Sequence, residues 1–228
     1  MLQWGLVGFA TAALTTLPER LIAQTSNAIK TLVFDANDVG ILNFALLLEE
    51  LEAAVYLLAL KSGKITDPKE FDYLQALGLH EATHVKFLRT VLGENVTFRT
   101  KDLSFSRAGF DAVLKDRDTL LNTAVALEDT GVHAYNGAGT SIKDPTYLLA
   151  ASSIVSVEVR HSAGVRGLLN RPSTEPDSDE KVSQADLVPA LNPFYGRPYD
   201  ELYTPKQIIA IVSSLNIINN PITGALVA

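Results

Sequence analysis

The chain states one pattern twice, and that duplication constrains its fold more than any other feature. Asp67-Pro68 stands 14 residues before Glu81-Ala82-Thr83-His84, and Asp144-Pro145 stands 14 residues before Glu158-Val159-Arg160-His161. Upstream of each unit a glutamate is followed seven residues later by a tyrosine: Glu49 by Tyr56, and Glu128 by Tyr135. Repetition at this scale describes a helical unit built from two similar halves. Seven residues turn a helix by about 700°, two turns less about 20°, so each Glu shares a face with its Tyr. Positions i and i+3 also share a face, so each Glu-x-x-His aims two side chains at one place. If the chain reverses between Ser62 and Asp67, Glu49 lies 13 residues before the reversal and Glu81 lies 14 after it, at matching height. Four helices then bring four carboxylates and two imidazoles into one layer.

The boundaries of those helices can be read from capping residues. A helix is expected from about Asp38 to Lys61, stopped by Ser62-Gly63. Asp67 caps a second with Pro68 in its first turn and Glu70 closing a capping box, and it ends at Gly93. Residues 94–106 have no helical period and read as a long crossover with an extended piece. Helix resumes from Arg107 to about Ala138 with a break near Asp116, and Asp144-Pro145 starts another that reaches about Leu169. Three further expectations concern the ends: a helix from Pro18 to about Leu32, an irregular excursion from Asn170 to Tyr203, and a short helix opened by Thr204-Pro205. The apolar tail INNPITGALVA is expected to dock, and strand signals are sparse.

Chemistry narrows with composition. Zero cysteines exclude disulfides, thiolate metal sites and a cysteine nucleophile, so any metal site must use His, Asp and Glu. A formal charge of −7 with scattered Lys and Arg gives no basic stripe, so nucleic acid is not an expected partner. The run His80-Glu81-Ala82-Thr83-His84 matches the zinc-peptidase pattern H-E-x-x-H, but no third ligand follows it, and the duplication places Val157 where His80 would recur. His80 is therefore read as an outer neighbour of the site. A lone Glu-x-x-His fits a solvated helix face. Two of them, with Glu49 in FALLLEELEAAVYLLAL and Glu128 in LLNTAVALEDTGVHAY, do not, since an unpaired carboxylate facing such a core costs several kcal/mol.

The segments LNFALLLEELEAAVY, LHEATHVKFL, ALEDTGVHAYNGAG and TPKQIIAIV resemble the ferritin-like domain family, in particular its desiccation-related proteins, over roughly residues 35–215. The resemblance implies an all-α, ferritin-like four-helix bundle with a long crossover at about residues 35–170. To this would be added an N-terminal apolar segment and helix (1–34) and a C-terminal extension (171–228) with a short helix packed on the bundle. By that resemblance Glu49, Glu81, His84, Glu128, Glu158 and His161 align with the ligands of a dinuclear centre of two iron or manganese ions, with no organic cofactor. Glu81 and Glu158 would be the bridging pair, and Tyr56 and Tyr135 would donate hydroxyls to ligating carboxylates. Glu52 lies within about 60° of Glu49's direction and is an alternative to it. Oxygen or peroxide chemistry and a role in oxidative or desiccation stress are the implied function; a structural or envelope-associated module whose site does not turn over is the alternative. A homo-oligomer is expected. The apolar run WGLVGFATAALTTL resembles the core of a twin-arginine export signal without its arginines, which leaves export with membrane or envelope association, and a cytoplasmic protein, both open.

Overall fold

The computed structural model describes residues 29–171 and 200–228. The expected irregular segment lies almost wholly outside them, as do the apolar N-terminal run and most of the helix expected after it. Six helices occur among the described residues: α1 (Asp38–Lys61), α2 (Pro68–Leu92), α3 (Arg107–Val113), α4 (Arg117–Gly139), α5 (Pro145–Leu168) and α6 (Pro205–Leu215). Helices α1 and α2 form one hairpin and α4 and α5 the other; the hairpins meet mainly through α1 against α4 and α2 against α5. None of these helices is long and apolar enough to cross a membrane.

Helix starts follow the capping chemistry. Asn37 accepts from the Gly40 amide at the head of α1, and Asp67, Asp116 and Asp144 cap α2, α4 and α5 in the same way. Asp116 also accounts for the break between α3 and α4, because its extended backbone ends one helix and its carboxylate starts the next. The capping box expected at Glu70 does not form. Its carboxylate is taken by Arg117, which also donates to the Leu168 carbonyl at 2.8 Å and so ties the ends of three helices together. A charged, bidentate partner outcompetes one backbone amide.

Helix α1 is buried on nearly all sides, with 18 of its 24 residues in the interior, as a helix enclosed by its neighbours must be. The apolar core divides into two clusters, one containing Leu47, Leu88 and Ile208 and the other containing Leu74, Leu121 and Val165. In α2 the residues between those clusters are Glu81 and His84; in α5 they are Glu158 and His161. The crossover is pinned by polar side chains. Buried Asn43 donates to the Asn95 carbonyl and accepts from the Thr97 amide, while Glu50 accepts from Arg89 and Thr100.

A second correction concerns the expected helix up to Leu32. Residues 29–31 are not helical, and Leu32–Val33 form a strand (β1) paired in parallel with Ile222–Thr223 (β2) near the C-terminus. Tertiary hydrogen bonds override the local preference: the Leu32 amide donates to Pro221 and the Phe34 amide to Thr223. Buried Asn220 secures the join, donating to the carbonyls of Lys30 and Asp102 and accepting from the Ser104 amide. The expected docking of the tail is thus observed, on residues 30–34 and the crossover.

Candidate metal centre

Each of the four long helices contributes to one buried polar layer: Glu49 from α1, Glu81 and His84 from α2, Glu128 from α4, Glu158 and His161 from α5. The four glutamates are fully buried and the two histidines nearly so. The six residues fall into two groups, Glu49, Glu81, His84 and Glu158 on one side and Glu81, Glu128, Glu158 and His161 on the other. Within each group one ligand atom per residue lies within 4.8 Å of the rest. Glu81 and Glu158 belong to both. His84 Nδ1 stands 3.1 Å from Glu49, 3.0 Å from Glu81 and 3.0 Å from Glu158; His161 Nδ1 stands 2.8 Å from Glu81 and 3.3 Å from Glu128.

These atoms converge without satisfying one another. Glu81 Oε1, Glu128 Oε2, both oxygens of Glu158 and His161 Nδ1 are buried with no aligned hydrogen-bond partner, although His161 Nδ1 and Glu81 Oε1 are only 2.8 Å apart. Orphaned polar atoms in such number are rare in a native core and mark a layer that could hold a metal ion. The donor set is of the kind such an ion would need: each group offers carboxylate oxygens with one imidazole nitrogen. Six ligands shared in this way exceed the usual four of zinc.

Without metal the layer is electrostatically strained. Burial, and then the charges of Glu158 and Glu81, push the Glu49 carboxyl well above the usual range, although contact with His84 opposes them. Burial, with Glu128 and Glu81, does the same to Glu158 against the opposing contact with His84, and burial raises Glu128 as well. At Glu81 burial is outweighed by contact with His161 and His84, which bring its carboxyl down to about 2. The imidazoles act as substitute cations. Burial disfavours their charge, but the surrounding carboxylates raise His84 to about 12 and His161 to about 10.

The outer residues complete the pattern. Tyr56 donates to Glu128 and Tyr135 to Glu49, so each tyrosine reaches the glutamate of the opposite helix and not of its own. His80 sits 2.9 Å from His161 through Nδ1 and Nε2, with the rings stacked at 5.1 Å. Nε2 of His161 is thereby engaged while its Nδ1 faces the carboxylates, which fixes the orientation of the ring. Glu49, and not its alternative Glu52, belongs to a ligand group, yet Glu52 is also buried and its Oε2 has no partner. The duplication explains its room. Adding the offset of 79 that relates Glu49 to Glu128 places Gly131 opposite Glu52, and a Cβ there would lie 3.2 Å from Glu52 Oε1.

Two features escaped the sequence reading. Gly131 could have been found by continuing the 79-residue offset by one turn. Arg166, buried beside the layer and bidentate to Asp129 at 2.7 and 2.6 Å, had no signal beyond its i, i+4 spacing from Ser162. His133 lies off the site, its ring against Tyr203 at 4.5 Å, and Glu50 is at a helix contact with Arg89.

A helical bundle enclosing a carboxylate and histidine layer defines the class of ferritin-like proteins. The model of the ferritin-like domain matches residues 37–171, more than half of the chain, and the protein belongs to this family. No curated protein matches the chain.

Proposed function

We propose that the protein binds two iron or manganese ions between its four long helices and uses them on dioxygen or hydrogen peroxide, in defence against oxidative or desiccation stress. The observation that carries this reading is the pair of ligand groups sharing Glu81 and Glu158, with orphaned atoms in the shared positions. Glu49 and His84 would hold one ion, Glu128 and His161 the other. Bound iron or manganese supplies the electrons for reduction of oxygen species, or the redox cycle that dismutates peroxide.

The chain's own residues hold the ligands and keep water out. Tyr135 and Tyr56 donate to the carboxylate oxygens that the ions would leave free, so Glu49 and Glu128 stay oriented. His80 holds His161 with Nδ1 inward and is itself exposed, giving the layer a polar contact with the surface. Leu47, Leu51 and Leu88, all fully buried, exclude solvent from the rest.

Protein produced with iron and manganese supplied should contain close to two ions per chain by elemental analysis, and should consume peroxide or oxidise Fe(II). Metal near zero sinks the reading. Two ions without turnover transfers support to a structural or envelope-associated module.

A further inference from the structure

The metal layer leaves one neighbouring feature unused. A cavity of about 230 Å³ lies between α1, α4, α6 and the C-terminal tail. Leu42, Phe44, Leu48 and Leu88 line its interior and are each 4% exposed or less, while exposed Ala36 and Ser141 mark its mouth. No charged residue lines it, and Tyr135, Ser141 and Tyr203 are the only lining residues whose side chains carry a polar atom. Tyr135 belongs to both sites, because it lines the cavity and donates to Glu49 Oε1.

Size and lining define the occupant. An apolar cavity of about 150 Å³ stays dry and accepts benzene. This one is about half as large again, enough for two fused rings or a short alkyl chain. An ion would lose its hydration with no charged side chain to replace it, and a peptide segment would bring more backbone amides and carbonyls than these mostly apolar walls can pair. We propose that the cavity binds a small, neutral, hydrocarbon-like molecule beside Tyr135, and that its occupancy is felt at the metal centre through the Tyr135–Glu49 hydrogen bond. The binding stands independently of the metal; the coupling rests on the metal-binding reading.

The test uses the full chain and naphthalene, a neutral, fluorescent probe of two fused rings. Metal-free protein is expected to bind one probe per chain saturably, with a rise in thermal midpoint. Ala45→Leu, which fills the interior, and Ser141→Trp, which blocks the exposed mouth and spares the core, should each weaken binding about tenfold or more. Non-saturable uptake, or an affinity that folded Ser141→Trp leaves unchanged, overturns the site. In protein loaded with Mn²⁺, saturating probe should alter the electron paramagnetic resonance signal of the wild type and not that of Tyr135→Phe. A bound probe with an unaltered wild-type signal overturns the coupling alone.

Discussion

Glu158 shows at the scale of one residue how function opposes stability. It belongs to both ligand groups, and both its oxygens are buried without an aligned hydrogen bond, although His84 Nδ1 lies 3.0 Å away. Glu158→Gln relieves the fold of burying a carboxyl that must take up a proton among other carboxylates, so the metal-free protein should gain roughly 1–2 kcal/mol in denaturant unfolding while metal content falls by at least one ion per chain. Loss of stability with full metal content would contradict its bridging position. His80→Ala should leave the fold intact and weaken metal binding by about 10–100-fold in a competitive chelator titration, because His161 would lose the contact that holds its ring. The ligands themselves were legible because a doubled Glu-x-x-His at fixed distance from Asp-Pro has geometric meaning in sequence. Which carboxylate each tyrosine reaches was not, since Tyr56 and Tyr135 cross to the opposite helix and interhelical distance leaves no trace in spacing.

Among the elements, helix ends were well marked and their partners were not. Asp67, Asp116 and Asp144 cap as their position before a helical period requires, because capping is a contact within three residues. Glu70 has the spacing of a capping box but pairs with Arg117, 47 residues away, a choice that only tertiary proximity creates. The strand Leu32–Val33 has the same origin: its partner lies at Ile222–Thr223 and its hydrogen bonds appear only when these distant segments meet. Asn220 is the joint of that assembly. Asn220→Ala strands the carbonyls of Lys30 and Asp102 and the amide of Ser104, and should cost about 1–3 kcal/mol. Hydrogen exchange should then accelerate first at the amides of Leu32 and Phe34, with helix α1 unchanged; equal acceleration throughout would mean that the join is not a separate unit.

For the whole molecule, the buried charge layer sets how stability responds to pH. In the metal-free protein Glu49, Glu52, Glu128, Glu158, His84 and His161 all hold protons more tightly folded than unfolded. The folded state therefore binds more protons, and stability falls as pH rises. The share of the raised carboxyls is complete below their ordinary value of 4.5 and is lost as pH passes through their raised values. That of the imidazoles is complete below 6.5 and is lost towards about 10 for His161 and about 12 for His84. Glu81 and His80 run the other way: the window of Glu81, between about 2 and 4.5, lies below this range, and His80, lowered by burial and by His161, opposes the trend as one group against six. The thermal midpoint measured in chelator should fall between about pH 5 and 9, while metal affinity rises because each ion displaces protons. A metal-free midpoint that climbs over this range would refute the assignment of protons to the layer. By itself the sequence determined the four long helices and the ligand-bearing face of each, because periodicity, caps and duplication act within a few turns of chain. The tertiary structure alone decided the crossed tyrosines, the pairing of Leu32–Val33 with Ile222–Thr223 and the cavity beside Tyr135, because these are distances between elements that only packing brings into contact.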